Sequence, residues 1–194
     1  GAAGSHKLTA QTFFLDTSGL AESAFTRRQK TRQAAGGPGN AGDFSSFALS
    51  LDGEGFEQLP GFGYHVAYVQ HTNDTVNSTD ETRFAVGGRY EFKLSGDVGV
   101  QPLVEYARFD DADGTANQDR SYVTTALGFT YGNWNAAIAG TFKETEAADG
   151  TDTNEKQFQV SAGYLFPIGV GVDLGYKRAR NAGVDTDTVG ALVT

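Results

Sequence analysis

The chain of 194 residues has no cysteine or methionine, four prolines and one tryptophan. Without cysteine it forms neither disulfides nor thiolate metal sites. It has no surplus of basic residues either, because its formal net charge is −9. This argues against a general nucleic-acid binder, which must neutralise phosphates. No run approaches the roughly 18–20 apolar residues of a transmembrane helix. A membrane is still compatible with the sequence, because the strands of a transmembrane barrel carry only a weak alternating pattern.

Residues 82–109 contain the clearest predicted hairpin. Apolar residues occupy nearly every second position from Phe84 to Leu94, and charged or very small residues lie between them. The alternation resumes at Val98 after the turn at 95–97. Since side chains alternate sides along a strand, this hairpin has one broad apolar face and one polar face.

The same alternation recurs along the chain and predicts ten strands in all. One of them contains Pro102, which removes a hydrogen-bond donor and suggests a bulge or a strand end. The links between strands alternate in length, and short turns at one end with long loops at the other are typical of an outer-membrane up-and-down barrel. The predicted long, polar links are 17–42, 72–81, 110–120, 144–155 and 179–186, and the shorter ones lie near 53–61, 95–97, 132–133 and 167.

The aromatic residues sort into two groups once strand direction is assigned. Two aromatic girdles around an aliphatic band match the two interfaces of a bilayer. The short-turn group comprises Phe62, Tyr64, Phe92, Phe129, Tyr131, Trp134, Tyr164 and Phe166, and the long-loop group comprises Tyr106, Phe142, Phe158 and Tyr176.

In these patterns the chain resembles the porin-like β-barrels of the Gram-negative outer membrane. The resemblance implies an all-β fold: a transmembrane antiparallel up-and-down barrel. Residues 1–194 would form one barrel domain, or the C-terminal portion of a larger barrel. It also implies an outer-membrane location, contact with outer-membrane lipids and lipopolysaccharide, and passage of small hydrophilic solutes. We expect no enzyme activity, no cofactor and no nucleic-acid partner, and a homo-oligomer stays open.

The face opposite the apolar one is the candidate pore lining. Six basic against three acidic side chains predict a weak preference for anions. The alternative is that these charges pair across strands and fill a narrow barrel, as Arg89, Glu91 and Glu105 could do. The predicted pore-lining residues are Lys7, Arg83, Arg89, Glu91, Lys93, Glu105, Lys143, Asp173 and Lys177.

A basic segment in the first long link is a candidate constriction of the pore. It contains Arg27, Arg28, Lys30 and Arg32. Three interpretations stay open: a constriction folded into the lumen, a solvated loop, or a contact with anionic lipopolysaccharide.

Other site patterns are weaker. Polar lumen residues at the barrel mouth are the simpler interpretation of His65 and His71, in place of a metal or catalytic site. The Asp110–Asp111 pair keeps an omptin-like outer-membrane enzyme among the alternatives. A structural or adhesive barrel is a third hypothesis, and a soluble β-sandwich binding module is the least favoured. The sequence most strongly favours a passive porin-like channel.

Overall fold

The computed structural model describes residues 3–13, 44–73, 77–94, 96–181 and 183–194. In these ranges the chain is almost entirely β-strand, with one short 3-10 helix at Ala112–Gly114. The described part contains no helix that is long and apolar enough to cross a bilayer. The strands are β1 (Ser5–Phe13), β2 (Ser46–Glu54), β3 (Phe62–His71), β4 (Glu81–Tyr90), β5 (Phe92–Lys93), β6 (Val98–Asp110), β7 (Asp119–Tyr131), β8 (Trp134–Glu146), β9 (Asp152–Leu165), β10 (Gly171–Asn181) and β11 (Val184–Val193).

All strands belong to one antiparallel sheet in which neighbours in sequence are neighbours in space. The order is β1-β2-β3-β4-β6-β7-β8-β9-β10-β11, with β5 paired to β6. This is the predicted up-and-down connectivity. Among the described residues β1 pairs only with β2 and β11 only with β10, so the sheet is not closed.

The ladder between β4 and β6 is interrupted at Pro102. The register pairs Arg89 with Leu103 on one side of the interruption and Phe92 with Val100 on the other, so no residue is inserted. Proline has no N–H to donate to a ladder. The sequence predicted a bulge or a strand end at Pro102. The register shows a gap that separates β4 from β5, with no inserted residue.

Two tracts predicted as long loops, 144–155 and 179–186, are mostly strand. The links that are left are only 147–151 between β8 and β9 and 182–183 between β10 and β11. The predicted sorting of links by length is therefore wrong at these two places.

Cross-strand ion pairs explain why these polar tracts form strands. The Lys143 Nζ lies 3.0 Å from the Glu155 carboxylate, and the Arg178 guanidinium lies 2.8 Å from that of Asp185. Opposite charges on neighbouring strands stabilise a sheet much as apolar pairs do. Composition alone predicts a loop because it does not show which charges face each other.

Among the described residues, no second layer packs on the apolar face of the sheet. The buried hydrophobic residues of the described part are Ala48, Val100 and Ala112. Large apolar side chains such as Leu174 (59% exposed) and Trp134 (58% exposed) are uncovered. Soluble proteins rarely expose so broad an apolar face, whereas a bilayer covers such a face.

Candidate pore lining and mouth

The strand register brings the predicted pore-lining residues onto one face of the sheet, here called the polar face. Residues that pair directly across an antiparallel ladder point to the same side. One row of partners runs Lys7–Asp52–His65–Gly87–Glu105, from β1 to β6. By the same register and the alternation within each strand, Arg83, Arg89, Lys93, Lys143, Asp173 and Lys177 share this face, and Glu91 lies at the gap between β4 and β5.

The register also brings charged residues to the polar face that the sequence interpretation did not include. With them, the six basic side chains become seven and the three acidic ones also become seven. Over the described strands, the predicted excess of basic charge on this face is therefore absent. The added residues are Asp52, Glu54, Glu81, Glu155 and Arg120.

A sequence signal existed for some of these residues. Asp52 and Glu54 continue the alternation of β2 by one and two steps. Glu81 and Arg120 were assigned to loops by composition, although each lies in the end of a strand. Strand ends are the positions that a sequence pattern defines least well.

Three of the predicted basic residues are tied to carboxylates that the sequence did not suggest. Arg89 pairs with Glu54 at 2.6 Å, not with Glu91 or Glu105. The Arg89 side chain crosses Gly63, where an added Cβ would lie 3.0 Å from the Arg89 Nε. Arg83 pairs with Glu81, and Lys143 pairs with Glu155 at 3.0 Å. The remaining predicted residues have no ion pair within the described ranges: Lys7, Lys93, Lys177, Glu91, Glu105 and Asp173.

A cavity of about 300 Å³ lies mainly against the polar face between β1 and β6. Gly63 and Gly87 are among its lining residues and contribute no side chains of their own. The His65 Nδ1 lies 2.6 Å from the Asp52 carboxylate beside it, and both side chains are partly exposed. This part of the polar face therefore combines a cavity with charged side chains of both signs.

At the long-loop ends of the strands, the otherwise apolar face becomes charged. Arg108 pairs across the ladder with Phe84 and Ser121, and its guanidinium contacts Asp110 at 2.6 Å and Asp119 at 2.7 Å. Charged side chains on a lipid-facing surface are costly within the hydrocarbon layer. This change therefore sets the boundary of the membrane-spanning part close to Phe84, and the sheet continues beyond it.

Beyond this boundary, on the polar face, Glu81 is the centre of a hydrogen-bonded cluster at the long-loop end of the sheet. It is 0% exposed. Its carboxylate accepts hydrogen bonds from the Arg83 Nε, from the Asp113 backbone N–H at 2.7 Å and from the His71 Nδ1 at 3.2 Å. Burial by itself raises the pKa of Glu81, but the hydrogen bonds from His71, Asp113 and Arg83 outweigh it and lower the pKa from 4.5 to about 2.

Aromatic rings surround this cluster. The Arg83 guanidinium carbon lies 4.6 Å from the centre of the Phe109 ring. Phe109 in turn lies against Tyr122, and Phe13 meets His71 edge-on at 5.3 Å. A cation held over an aromatic face is stabilised by the ring. Arg83 therefore has two attachments, the buried carboxylate of Glu81 and the ring of Phe109.

Two further candidate sites from the sequence are a metal site and the basic segment of the first long link. Within the described ranges no three His, Asp or Glu side chains are grouped so that they could hold a metal ion. The predicted constriction segment with Arg27, Arg28, Lys30 and Arg32 lies outside the described residues.

The aromatic side chains near the short turns make direct ring contacts. Trp134 pairs with Tyr164 across β8 and β9 with ring centres 4.6 Å apart, and Phe166 meets Tyr164 at 4.8 Å. An antiparallel up-and-down sheet with one uncovered apolar face, aromatic contacts at its short-turn end and a charged opposite face is the architecture of an outer-membrane barrel.

The chain belongs to the Gram-negative porin family, because the model of that family matches residues 11–184. No curated protein and no solved structure matches the chain. Family membership places the protein in the outer membrane and indicates a channel in general terms.

Proposed function

We propose that the protein is a passive channel through which small hydrophilic solutes and ions diffuse along the polar face. The observation that carries this proposal is the separation of the two faces by the register. One face presents charged and small side chains over ten neighbouring strands, and the other presents an apolar surface suited to lipid. Polar groups on the lumen side replace part of the hydration shell of a solute, so passage needs no cofactor and no energy source.

The preference between ions of opposite charge should be weak, because the described part of the polar face has no excess of basic side chains to support the lean towards anions predicted from the sequence. Arg83, Arg89 and Lys143 are largely compensated by their carboxylate partners. Three lysines and three carboxylates of the predicted lining have no ion pair in the described part of the chain. The charges of the predicted lining are therefore close to balanced.

The experiment that tests the proposed channel is a conductance measurement on the purified protein in a planar bilayer. Wild-type protein should give discrete current steps and a reversal potential near zero in a salt gradient. Arg89→Glu leaves Glu54 without its partner and adds a second carboxylate, so the reversal potential should move towards cation selectivity. Absence of current steps in a chain shown to be inserted would contradict the channel.

A matched control uses the opposite face. Lys156 pairs with Phe142 and Arg180 on the outward side, so Lys156→Glu makes the same change of charge away from the proposed lumen. It should leave the reversal potential nearly unchanged. An equal shift in both variants would contradict the assignment of the polar face to the pore.

We also propose that the outward-facing basic side chains at the loop end contact the phosphates of lipopolysaccharide. Lys156, Arg178 and Arg180 lie there on neighbouring strands, with Asp185 and Asp187 beside them. Neutral variants of Lys156 and Arg180 should weaken binding of lipopolysaccharide to the purified protein in a salt-dependent way. Unchanged binding would contradict the proposed contact between these side chains and lipopolysaccharide.

A further inference from the structure

The cavity against the polar face contains a gap between two polar side chains. Across the ladder, Gly87 on β4 pairs with His65 on β3 and with Glu105 on β6, and all three residues line the cavity of about 300 Å³. Neighbouring strands are about 4.8 Å apart, so the backbones of His65 and Glu105 are roughly 10 Å apart. Gly87 has no side chain to fill the space between them. The gap is therefore open on the polar face, in a cavity large enough for a small ligand.

On one side of this gap, His65 presents a hydrogen-bond acceptor. Its Nδ1 lies 2.6 Å from the carboxylate of Asp52 on β2. An ionised carboxylate only accepts hydrogen bonds, so Nδ1 carries the proton and donates it. In the neutral ring Nε2 then has a free lone pair. Because the two nitrogens lie on different sides of the imidazole, Nε2 is directed away from Asp52.

On the other side, Glu105 presents a carboxylate that is exposed and has no ion pair among the described residues. The neighbouring Arg89 does not compensate it. The Arg89 guanidinium crosses Gly63 and pairs with Glu54 on β2 at 2.6 Å, on the side away from β6. Glu105 therefore keeps its charge available to the cavity.

The charges that line the cavity favour a cation. Two basic side chains, Lys7 and Arg89, stand against three carboxylates, Asp52, Glu54 and Glu105. Lys7 lies on β1, four strands away from Glu105 on β6, which is roughly 19 Å along the sheet. Exposed charges at that separation are screened at physiological salt, so Lys7 does not neutralise Glu105.

The width of the gap distinguishes between the common organic cations. A ligand that bridges His65 and Glu105 must donate hydrogen bonds in two directions. An ammonium group holds two acceptors only about 4.5 Å apart, whereas a planar guanidinium holds two acceptors about 7–8 Å apart on its opposite sides. With backbones roughly 10 Å apart, the guanidinium requires the smaller displacement of the two side chains.

We propose that the gap between His65 and Glu105 is a binding site for the guanidinium group of a small solute. This inference rests on the proposed channel function, because it takes the polar face as the wall that solutes meet. Glu105 supplies the negative charge, the His65 Nε2 accepts the second hydrogen bond, and Asp52 holds the His65 ring in the required tautomer. Gly87 provides the space in which the group lies.

The first test is a titration of the purified protein in detergent, followed by ¹⁵N NMR of the histidine rings. The chain has three histidines, and the His65→Gln variant identifies the signals of His65. Methylguanidinium chloride should shift the His65 nitrogens saturably and leave His6 and His71 nearly unchanged. Methylammonium chloride at the same ionic strength should bind about 5-fold more weakly or less. No shift at His65, similar shifts at all three rings, or equal affinity for the two cations would overturn the proposed site.

The second test removes the charge of Glu105. Glu105→Gln should weaken the binding of methylguanidinium about 5- to 10-fold, as expected for a charge-assisted hydrogen bond at an exposed site. Glu91→Gln is the matched control, since Glu91 is also exposed but does not line the cavity. It should bind as the wild type does. Unchanged binding in Glu105→Gln, or equal losses in both variants, would overturn the role of Glu105.

Conductance measurements separate this inference from the channel itself. At constant ionic strength, methylguanidinium should lower the single-channel current of the wild type saturably, and it should do so less in Glu105→Gln. If inserted protein gives no current steps while His65 shows the specific shift, the binding site stands and the channel function fails. If current steps are present and His65 shows no shift, the channel function stands and the binding site fails.

Discussion

Acidification should release the loop between β6 and β7 (residues 111–118, here called the 111–118 loop) through protonation of Glu81, whose carboxylate accepts a hydrogen bond from the Asp113 N–H of this loop. The pKa of this carboxyl is about 2 in the folded protein and 4.5 without its partners. Because the pKa is lowered on folding, its contribution to stability is fully present above pH 4.5 and is lost as the pH falls towards 2. The gap corresponds to about 3 kcal/mol. At pH 3 about 2 kcal/mol of this would be gone. Only the Asp113 N–H comes from the loop, whereas His71 and Arg83 contribute the rest of the lowering of the pKa, so the docked loop should be disfavoured by less than about 30-fold relative to neutral pH.

The measurement is the protection of the Asp113 and Thr79 amides against hydrogen exchange between pH 5 and pH 3, corrected for the intrinsic rate. Protection should fall steeply in the wild-type chain. An amide in the centre of the sheet, such as that of Val123, should keep its protection. In Glu81→Gln the protection should be low throughout and change little with pH. Parallel curves for the two proteins would refute the reasoning, because the titrating group would then not be Glu81.

Two further predictions test the ion pairs and the faces. Arg83→Glu should lower the free energy of unfolding by about 3–5 kcal/mol in urea titration, since it leaves the buried Glu81 facing a like charge. Arg89→Glu should lower it by about 1 kcal/mol or less, because the Arg89–Glu54 pair is half-exposed. Equal losses would contradict the difference in burial. Gly128→Lys on the polar face should fold, whereas Gly140→Lys on the apolar face should lose about 2–4 kcal/mol of stability in lipid vesicles. Both glycines leave ordinary room for a Cβ, so similar stability of the two variants would contradict the assignment of the faces.

The strand pattern was readable because a β-strand has a side-chain period of two. Leu174 and Tyr176, or Arg83 and Arg89, fall on their faces without knowledge of any neighbour, and the register agrees with this division. Pro102 was likewise recognisable as a weak point of its strand, because the missing N–H is a property of the residue itself.

The ends of the strands depended on contacts that the sequence does not display. The tracts around Glu155 and Asp185 contain the residues typical of loops, yet they form strands, in which Lys143 stands opposite Glu155 and Arg178 contacts Asp185 on the neighbouring strand. Whether a charged residue lies in a loop or in a strand depends on whether an oppositely charged residue lies next to it on the neighbouring strand.

The amino-acid sequence by itself therefore determined an all-β membrane chain with one apolar and one polar face, since both follow from alternation and composition. Only the tertiary structure decided the charge balance of the polar face and the contacts of the buried Glu81. Glu54 meets Arg89 from another strand, and Glu81 meets Asp113 from a loop 32 residues away. Such pairs are set by the register of strands that are distant in sequence, so a local pattern predicts the face on which a charge lies and not the partner that compensates it.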